Sequence, residues 1–285
     1  MPIQKQHTTG IVIAHYDRAG KVAKHLLQLV RYLAEQVTPH IVFVSTGISP
    51  GAIEQLQPFC HVISRDNSGY DFWSYKVGLE ALPSTVSWDR QLLLNSSIIV
   101  LDPALFANQL LIPRPGERIL GLTRSYEHID HLQSYCLLFD GRQLIQSSAM
   151  KRWWEEMQPV SDREQVIQRY ELGLSHYFRS HMVELTAAMQ PSARDRLMAA
   201  VRSIVQHGVP ENFPTIDDHV ALNLGLAEQS NPTHSMWDRL LAQFGVIKID
   251  FLRKSFFAKQ LLDAVQHGPQ WAAIPALELI NDALE

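Results

Sequence analysis

Short apolar runs alternate with segments of helical spacing over the first hundred residues. Four runs predict buried strands, at residues 11–14, 41–44, 61–63 and 91–95. Apolar positions three or four residues apart predict the helices between them, at residues 21–36, 50–58 and 71–82. Because strands and helices alternate, this part of the chain predicts a parallel, doubly wound sheet.

The pattern changes after about residue 118. Two further apolar runs, at residues 119–122 and 134–139, predict strands separated by a polar loop. Beyond residue 143 helical spacing dominates, and it predicts helices at residues 149–157, 163–180, 193–207, 215–228 and 256–265. The chain has no internal repeat, low-complexity tract or Gly/Ser linker, so we expect a single domain with a helical C-terminal portion.

Composition fits a globular protein with a large core. Hydrophobic residues make up 46% of the 285 positions and charged residues 19%, whereas disordered chains carry more charge and fewer aromatic residues. The net charge of -4 argues against a dedicated nucleic-acid-binding protein, which usually has a basic excess. Cys60 and Cys136 both lie in apolar runs, so we expect reduced core thiols.

Hydropathy also bears on location. No run of about 18 apolar residues occurs, and the first six residues contain no apolar signal core. We therefore expect a cytoplasmic protein, and peripheral contact with the inner face of the plasma membrane stays open.

Polar residues follow the predicted strands where an α/β sheet would bind a ligand. Such sheets bind ligands beyond the carboxyl ends of their strands. Tyr16 and Asp17 follow the first strand, and Asn95, Ser96 and Ser97 end the fourth. The sequence therefore predicts a binding site at this edge of the sheet.

The segment from Arg65 to Phe72 leaves the third strand, turns at Gly69 and opens a helix. Free backbone N–H groups at a helix start can hold a phosphate. Arg65 could neutralise a diphosphate, and Asp71 could accept hydrogen bonds from ribose or sugar hydroxyls. The same residue types are ordinary turn and capping chemistry, so the segment alone leaves both interpretations open.

The polar loop between the fifth and sixth predicted strands is crowded with charged residues. They are Arg124, Glu127, His128, Asp130 and His131. Such a loop could bind an acceptor sugar or simply be solvated, and its spacing matches no well-specified metal site. Glu171, on the helix predicted for residues 163–180, is either a surface charge or a base that points into the cleft.

Together these segments resemble the rhamnan synthesis protein F family. Its members share an Arg-x-Asn-x-Gly-x-Asp-Phe segment, present here at residues 65–72 with Lys76 beyond it. Further shared motifs follow in order: Leu-Leu-Leu-Asn at 92–95, Gly-Leu-Thr at 121–123, His-Leu-Gln-Ser-Tyr at 131–135, Tyr-Glu-x-Gly-Leu-Ser at 170–175, and residues 231–234 and 247–249. The resemblance covers about residues 10–255.

The resemblance implies an α/β glycosyltransferase of the GT-A-like type, with a single Rossmann-type, mostly parallel sheet flanked by helices and a largely helical C-terminal portion. One domain over residues 1–285 would contain a donor half at about 10–115, an acceptor half at about 116–250 and a helical extension at 251–285. By default it would transfer L-rhamnose, with inversion, from dTDP-L-rhamnose to a glycan or lipid-linked glycan of a growing cell-surface polysaccharide or lipopolysaccharide.

The resemblance also implies roles for individual residues. The donor-binding candidates are Tyr16, Arg65, Asn67, Gly69, Asp71, Lys76, Asn95 and Ser96. The acceptor-binding candidates are Arg124, His131, Gln133 and Tyr135. Inversion needs a carboxylate that deprotonates the attacking hydroxyl, and we expect Glu171 in this role, with Glu127 and Asp130 as alternatives.

Ser96 departs from the family pattern, in which an aspartate follows the asparagine. GT-A enzymes often place there a carboxylate that holds a divalent metal, for which Asp102 is only a weak substitute. Metal-independent catalysis is therefore the leading hypothesis, and Mg²⁺ or Mn²⁺ stays open. Arg65 and the helix start near Gly69 would then stabilise the negative charge of the leaving diphosphate.

Two other classes of function stay open. A nucleotide-sugar-binding module that has lost turnover is one, and Ser96 is the feature that favours it. The other is an interaction subunit of a glycan assembly complex, whose basic and apolar segment after Phe251 docks on an anionic membrane. A Rossmann dehydrogenase and a serine hydrolase are set aside because the chain lacks their Gly-x-Gly-x-x-Gly and Gly-x-Ser-x-Gly motifs.

Overall fold

The computed structural model describes residues 7–207 and 230–285. The described strands are β1 Thr9–His15, β2 Ile41–Ser45, β3 His61–Ser64, β4 Arg90–Asn95, β5 Ile98–Val100, β6 Arg118–Gly121, β7 Arg124–Ser125, β8 His131–Leu132, β9 Cys136–Asp140, β10 Glu184–Ala187 and β11 Val246–Lys248. The four N-terminal strands β1 to β4 agree with the predicted strands to within two residues at either end.

The helices lie between and after these strands. In the first half they are α1 Lys24–Gln36, α2 Pro50–Leu56, α3 Tyr70–Ala81, α4 Pro103–Leu110, α5 Arg142–Ile145, α6 Ser148–Glu155 and α7 Arg163–Val166. A π-helical segment, Ile167–Leu172, joins α7 to α8. The remaining helices are α8 Gly173–Ser180, α9 Ala193–His207, α10 Pro232–Ser235, α11 Trp237–Phe244, α12 Ile249–Lys254, α13 Ala258–His267 and α14 Ala276–Leu284, with a 3₁₀ turn at Pro269–Trp271.

Seven strands form one sheet in the order β10-β6-β9-β4-β1-β2-β3. Only β9 runs antiparallel, and it pairs with both β4 and β6. Two small ribbons complete the described strands: β5 pairs with β11, and β7 pairs with β8. The predicted α/β class, with a single mostly parallel sheet flanked by helices, is confirmed.

The sheet is buried on both faces because alternate side chains of its central strands point to opposite sides. On β1, Ile11 and Ile13 join a core with α1 and α4, while Val12 and Ala14 join a core with α3 and α8. Continuous apolar runs are typical of such doubly covered parallel strands. Cys136 is buried in β9, and both cysteines are free thiols.

The second half of the chain contains strands that periodicity does not predict. We expected a predominantly helical chain after residue 143 and predicted no strand there, but β10 adds an edge strand beside β6, and β11 pairs with β5. Each has only three or four residues, too few for alternation to stand out, and each is a strand because a partner edge is available. The predicted helix at 215–228 lies outside the described residues.

The C-terminal helices enclose a third apolar cluster. Phe251, Phe257 and Leu261 are buried there beside Trp237 of α11, while Phe256 is 71% exposed. Most of the apolar residues that suggested membrane docking therefore pack inward. Within the described ranges, no helix combines the length and the apolar character needed to cross a membrane.

Candidate active site

A polar cavity of about 510 Å³ opens at the carboxyl ends of β1 and β4. Its walls are the β1–α1 loop, the start of α3, the π-helical segment and the turn from β11 into α12. The lining includes Tyr16, Asp71, Asn95, Ser96, Ser97, Gln133, Tyr135, Glu171 and Lys248. The cavity thus lies where a doubly wound sheet binds ligands.

Asn95 links the end of β4 to the start of α3. Its Nδ2 donates to Asp71 Oδ2 over 2.6 Å, and its Oδ1 accepts from the backbone N–H and the hydroxyl of Ser97. Next to it, Ser96 Oγ accepts the backbone N–H of Tyr16 at 3.3 Å. These contacts bring four of the predicted donor-binding residues to one wall of the cavity.

Asp71 is a half-buried carboxylate in the first turn of α3 and lines the cavity. Burial raises its pKa, against the opposing effects of the Asn95 hydrogen bond and the positive charge of Lys248. An acceptor group held at the cavity wall in this way can bind hydroxyl groups of a ligand.

Glu171 lies on the π-helical segment and faces the turn that enters β9. Its Oε2 accepts from the backbone N–H of Ser134 at 3.2 Å and from the Ser134 hydroxyl. Burial would raise its pKa, but the neighbouring His131 and the hydrogen bonds from Ser134 outweigh burial and lower the pKa of Glu171. Glu171 is therefore ionised near neutral pH, and its side chain is 24% exposed toward the cavity.

His131 supports Glu171 from behind the cavity wall. Its Nδ1 is 2.8 Å from the carbonyl oxygen of Ile129, which can only accept, so Nδ1 carries a hydrogen. Its Nε2 lies 3.7 Å from Glu171 Oε1. Burial lowers the pKa of His131, but Glu171 and the Ile129 carbonyl outweigh burial and raise it. His131 thus positions Glu171 and does not line the cavity.

Arg65 is directed away from the cavity. Its guanidinium donates to the carbonyl oxygens of Asp66, Ser68 and Tyr70 at 2.6 to 2.9 Å and to the hydroxyl of Ser74. These bonds hold the loop that begins α3. This geometry does not favour a contact between Arg65 and a diphosphate, because the guanidinium N–H groups already donate hydrogen bonds within the protein.

The other predicted donor-binding residues of this segment do not line the cavity either. Asn67 is exposed, and Lys76 Nζ points to the carbonyl oxygens of Glu155 and Met157 at 3.3 Å. Gly69 precedes α3 with a φ of 71°. It orients Tyr70 and Asp71, which do line the cavity.

The predicted acceptor-binding residues divide into two groups. Gln133 and Tyr135 line the cavity, and both bond to the Thr123 hydroxyl at 2.7 Å. Arg124 instead pairs with Asp130 beside a separate cavity of about 110 Å³.

The two alternative bases lie outside the cavity. Asp130 also pairs with Arg179 at 2.9 Å, and both arginines lower its pKa, although burial acts in the opposite direction. Glu127 is exposed on the β7–β8 hairpin. Of the three candidate carboxylates, Glu171 is the one that lines the cavity.

Lys248 is a cavity residue that we did not predict as a site residue. It ends β11, and its Nζ lies 2.5 Å from Ser97 Oγ and 4.4 Å from the centre of the Tyr135 ring. The signal in the sequence was the segment at residues 247–249, one of several motifs on which the family resemblance rests. Its place opposite β4 depends on the pairing of β11 with β5, and periodicity did not reveal that pairing.

The donor set at the end of β4 does not fit a divalent metal. Mg²⁺ and Mn²⁺ prefer carboxylate oxygens, but this strand ends in one amide and two hydroxyls, and the ammonium of Lys248 already contacts Ser97. The Asp102 carboxylate caps α4 through the backbone N–H of Leu105. Within residues 7–207 and 230–285, no group of three or more His, Cys, Asp or Glu side chains could hold a metal.

An open, mostly parallel sheet with one antiparallel strand and a polar cavity beyond its strand ends defines a GT-A-like α/β protein. The sequence model described as rhamnan synthesis protein F matches residues 41–209, more than half of the chain. The chain belongs to this family. Family membership and fold together support a glycosyltransferase.

One curated relative is the uncharacterized protein y4gN of Sinorhizobium fredii, which is 29% identical over 180 residues. The aligned part is 59% of this chain and 45% of the relative. The chain thus spans less than half the length of that relative.

Solved structures with some similarity include two transferases. The mannosyltransferase PcManGT of Pyrobaculum calidifontis, in complex with GDP-Man and Mn²⁺, has a TM-score of 0.37 and 9% identity, covering 98% of this chain and 86% of its own. Glucosyl-3-phosphoglycerate synthase of Mycobacterium tuberculosis has a TM-score of 0.38 and 11% identity, covering 70% and 77%. Both scores lie below 0.5, so they carry no argument about substrates or metals.

Proposed function

We propose that the chain transfers a deoxyhexose from a nucleoside diphosphate sugar to a glycan, with inversion at the anomeric carbon. L-rhamnose from dTDP-L-rhamnose is the proposed donor, and a growing cell-surface polysaccharide or lipopolysaccharide is the proposed product. The observation that carries the proposal is the cavity at the strand ends, in which an ionised carboxylate, Glu171, faces a cationic side chain, Lys248. Family membership supports the choice of sugar.

Inversion requires a base on the face of the sugar opposite the leaving group. In the proposed reaction, an acceptor hydroxyl next to Glu171 attacks the anomeric carbon and gives its proton to a Glu171 oxygen. The bond from the anomeric carbon to the diphosphate breaks at the same time, and its electron pair leaves with the nucleoside diphosphate. Positive charge accumulates on the sugar in the transition state, which makes the attacking hydroxyl acidic enough for a carboxylate of low pKa.

The other cavity residues would bind and orient the two substrates. Asp71 and Asn95 present acceptor and donor groups to sugar or ribose hydroxyls. Tyr16 is 56% exposed at the mouth of the cavity and offers an aromatic face to a base or a sugar ring. Gln133 and Tyr135 line the side nearer Glu171 and would contact the acceptor.

Calorimetry with dTDP-, GDP- and UDP-sugars tests the proposal. We expect dTDP-L-rhamnose to bind the purified protein with the same affinity in excess manganese and in excess chelator. A donor whose binding depends on manganese would disprove the metal-free form of the mechanism. The transferase itself is disproved when none of these nucleotide sugars binds under either condition.

Ser96 supports a second candidate function. A chain with a hydroxyl in place of the family's aspartate could bind a nucleotide sugar and yet serve as a non-catalytic or scaffold subunit of a glycan assembly complex. Such a chain would bind the donor but release no dTDP when glycan acceptor is added. Peripheral contact with the membrane that carries a lipid-linked acceptor belongs to this proposal, and Phe256 is the exposed apolar residue it would use.

A further inference from the structure

We propose that Lys248 is the cation that binds the donor diphosphate and stabilises it as it leaves, in the position where related chemistry commonly uses a divalent metal. This inference rests on the proposed function and names the group that carries the leaving-group charge. Its support comes from the place, the partners and the charge environment of one side chain.

Lys248 reaches the strand ends from a distant part of the sequence. Its strand, β11, pairs antiparallel with β5, and Lys248 is in register with Ile98, the residue that follows Ser97. Its Nζ consequently meets the Ser97 hydroxyl at 2.5 Å, directly beyond the end of β4. A phosphate group of a ligand in a doubly wound sheet is bound in this region.

The ammonium group has no carboxylate to neutralise it at close range. Within the described residues, no Asp or Glu oxygen lies within 4 Å of Lys248 Nζ, whose close contacts are a hydroxyl and the face of the Tyr135 ring. Asp71, Glu171 and Asp250 act on it only from longer range. Lys248 is half-buried, and a partly desolvated cation without an ion-pair partner carries a free-energy cost that a bound phosphate would reduce.

The other cavity-lining arginine and lysine residues of the described chain are at its rim. Lys21, Arg163 and Arg253 are exposed, so solvent screens their charge. Burial lowers the pKa of Lys248 to about 8, which leaves it mostly protonated near neutral pH. Lys248 is therefore the cation whose charge acts most strongly on a ligand at the strand ends.

In this arrangement the charge of Lys248 takes the place of a metal that the family's aspartate, here Ser96, would help to bind. A divalent metal would need acidic ligands, whereas a lysine needs only a hydroxyl and an aromatic face to orient it, and Ser97 and Tyr135 supply these. In the proposed step, Lys248 keeps its proton and donates hydrogen bonds to diphosphate oxygens, while the proton of the acceptor hydroxyl goes to Glu171. Hydrogen-bond donors held in place where negative charge develops commonly make a large contribution to catalysis.

The test compares the binding of a nucleoside diphosphate with that of its monophosphate. Calorimetry would give the dissociation constants of dTDP and dTMP, with GDP/GMP and UDP/UMP as parallel pairs. The proteins are wild type, Lys248→Met, Lys248→Arg and a control, Lys151→Met, in which an exposed lysine on α6 is replaced. Methionine keeps the volume of the lysine stem and removes its charge.

We expect Lys248→Met to bind dTDP roughly 10- to 100-fold more weakly than wild type, as for the loss of a hydrogen bond to a charged group, with dTMP binding less affected. Lys248→Arg should retain the preference for dTDP, and the control should match wild type. A purely structural role for Lys248 would instead weaken both nucleotides equally.

The pH dependence provides a second readout. Asp71 on α3, Glu171 on the π-helical segment, Arg163 on α7 and Asp250 on α12 face Lys248. Because the protonated form binds phosphate, the affinity of wild type for dTDP should fall as pH rises through about 8. The Lys248→Arg protein stays charged and should show no such fall, since the arginine pKa lies above about 12.

Each outcome distinguishes the inference from the proposed function. If wild type binds dTDP and Lys248→Met retains its preference for dTDP over dTMP, the inference is wrong and the transferase proposal stands. If wild type binds none of the nucleotides, both fail. Should Lys248→Met not fold, as judged by circular dichroism, the pH profiles of wild type and Lys248→Arg decide.

Discussion

At the scale of single residues, two carboxylates of the cavity differ in their surroundings and therefore in the direction of their pKa shifts. Glu171 accepts two hydrogen bonds, from the N–H and the hydroxyl of Ser134, and lies 3.7 Å from His131 Nε2. Its pKa is lowered despite burial. Asp71 receives one, from Asn95, and burial raises its pKa. Groups whose pKa values are moved apart in one site often have different roles. We assign proton transfer to Glu171 and hydroxyl binding to Asp71.

Replacement of Glu171 by glutamine tests this assignment. Glutamine keeps the shape but cannot accept a proton, so we expect kcat to fall by about 100- to 10,000-fold with little change in donor affinity. Donor turnover and calorimetric binding would be measured together. The matched control is Glu127→Gln, an exposed carboxylate outside the cavity, which should keep full activity. Equal loss in both variants would contradict a specific role for Glu171.

At the scale of elements, the loop before α3 and the π-helical segment place the reactive groups. Arg65 holds the carbonyl oxygens of the loop, and Gly69 takes a left-handed conformation that turns the chain into α3. The π-helical segment, with its wider turn, carries Glu171; single π turns of this kind are often found at functional sites. The loop thus leads to Asp71 in the first turn of α3, the π-helical segment carries Glu171, and both side chains line the cavity.

Gly69→Ala is expected to destabilise the protein and loosen the start of α3. The added Cβ would lie 2.5 Å from Trp73 Cβ in a backbone conformation with a φ of 71°. Left-handed backbone alone costs an L-residue about 1–2 kcal/mol, and the close contact adds to this. Urea unfolding would measure the loss in free energy of unfolding.

Gly51→Ala is the control for that measurement. Gly51 lies in α2, and a Cβ there would have no atom within 4 Å, so alanine should leave stability unchanged or raise it. If both variants lose stability equally, conformational strain at Gly69 is not the cause.

At the scale of the whole molecule, a buried ion pair joins the parallel and antiparallel parts of the sheet. Arg90 on β4 binds Asp140 on β9 through two hydrogen bonds of 2.8 and 3.3 Å, and it also donates to the carbonyl oxygen of Leu111. Both side chains are less than 10% exposed. The pair lies at the end of β4 opposite the cavity, so it affects the fold more than the chemistry.

Arg90→Met should therefore cost about 3–5 kcal/mol of unfolding free energy, because it leaves the Asp140 carboxylate buried and unpaired. The double variant Arg90→Met/Asp140→Leu should recover much of this loss, and chemical denaturation of the three proteins forms the comparison. Donor affinity of the folded single variant should be unchanged. A double variant no more stable than the single one would show that the charge of Asp140 is not the source of the cost.

The sequence was sufficient to predict the first half of the sheet and the family. Apolar runs of four or five residues, separated by amphipathic segments, predict β1 to β4 and α1 to α3 because burial on both faces leaves a continuous apolar signature. The prediction that polar residues after the strands form a binding site includes Tyr16, Asp71, Asn95 and Ser96, which line the cavity, because the carboxyl ends of parallel strands meet at one edge of the sheet. Glu171 followed from the family motif.

Which polar residues lie together became evident only from the three-dimensional fold. The sequence predicts ligand-binding roles for Arg65, Lys76 and Asp130. In the structure, however, Arg65 and Lys76 donate to backbone carbonyl oxygens, and Asp130 forms an ion pair with Arg179. Lys248 lies 151 positions from Ser97 in the chain and meets it only through the pairing of β11 with β5. Sequence patterns report local periodicity, whereas the partner of a buried charge depends on strand pairing over long separations, which no local pattern encodes.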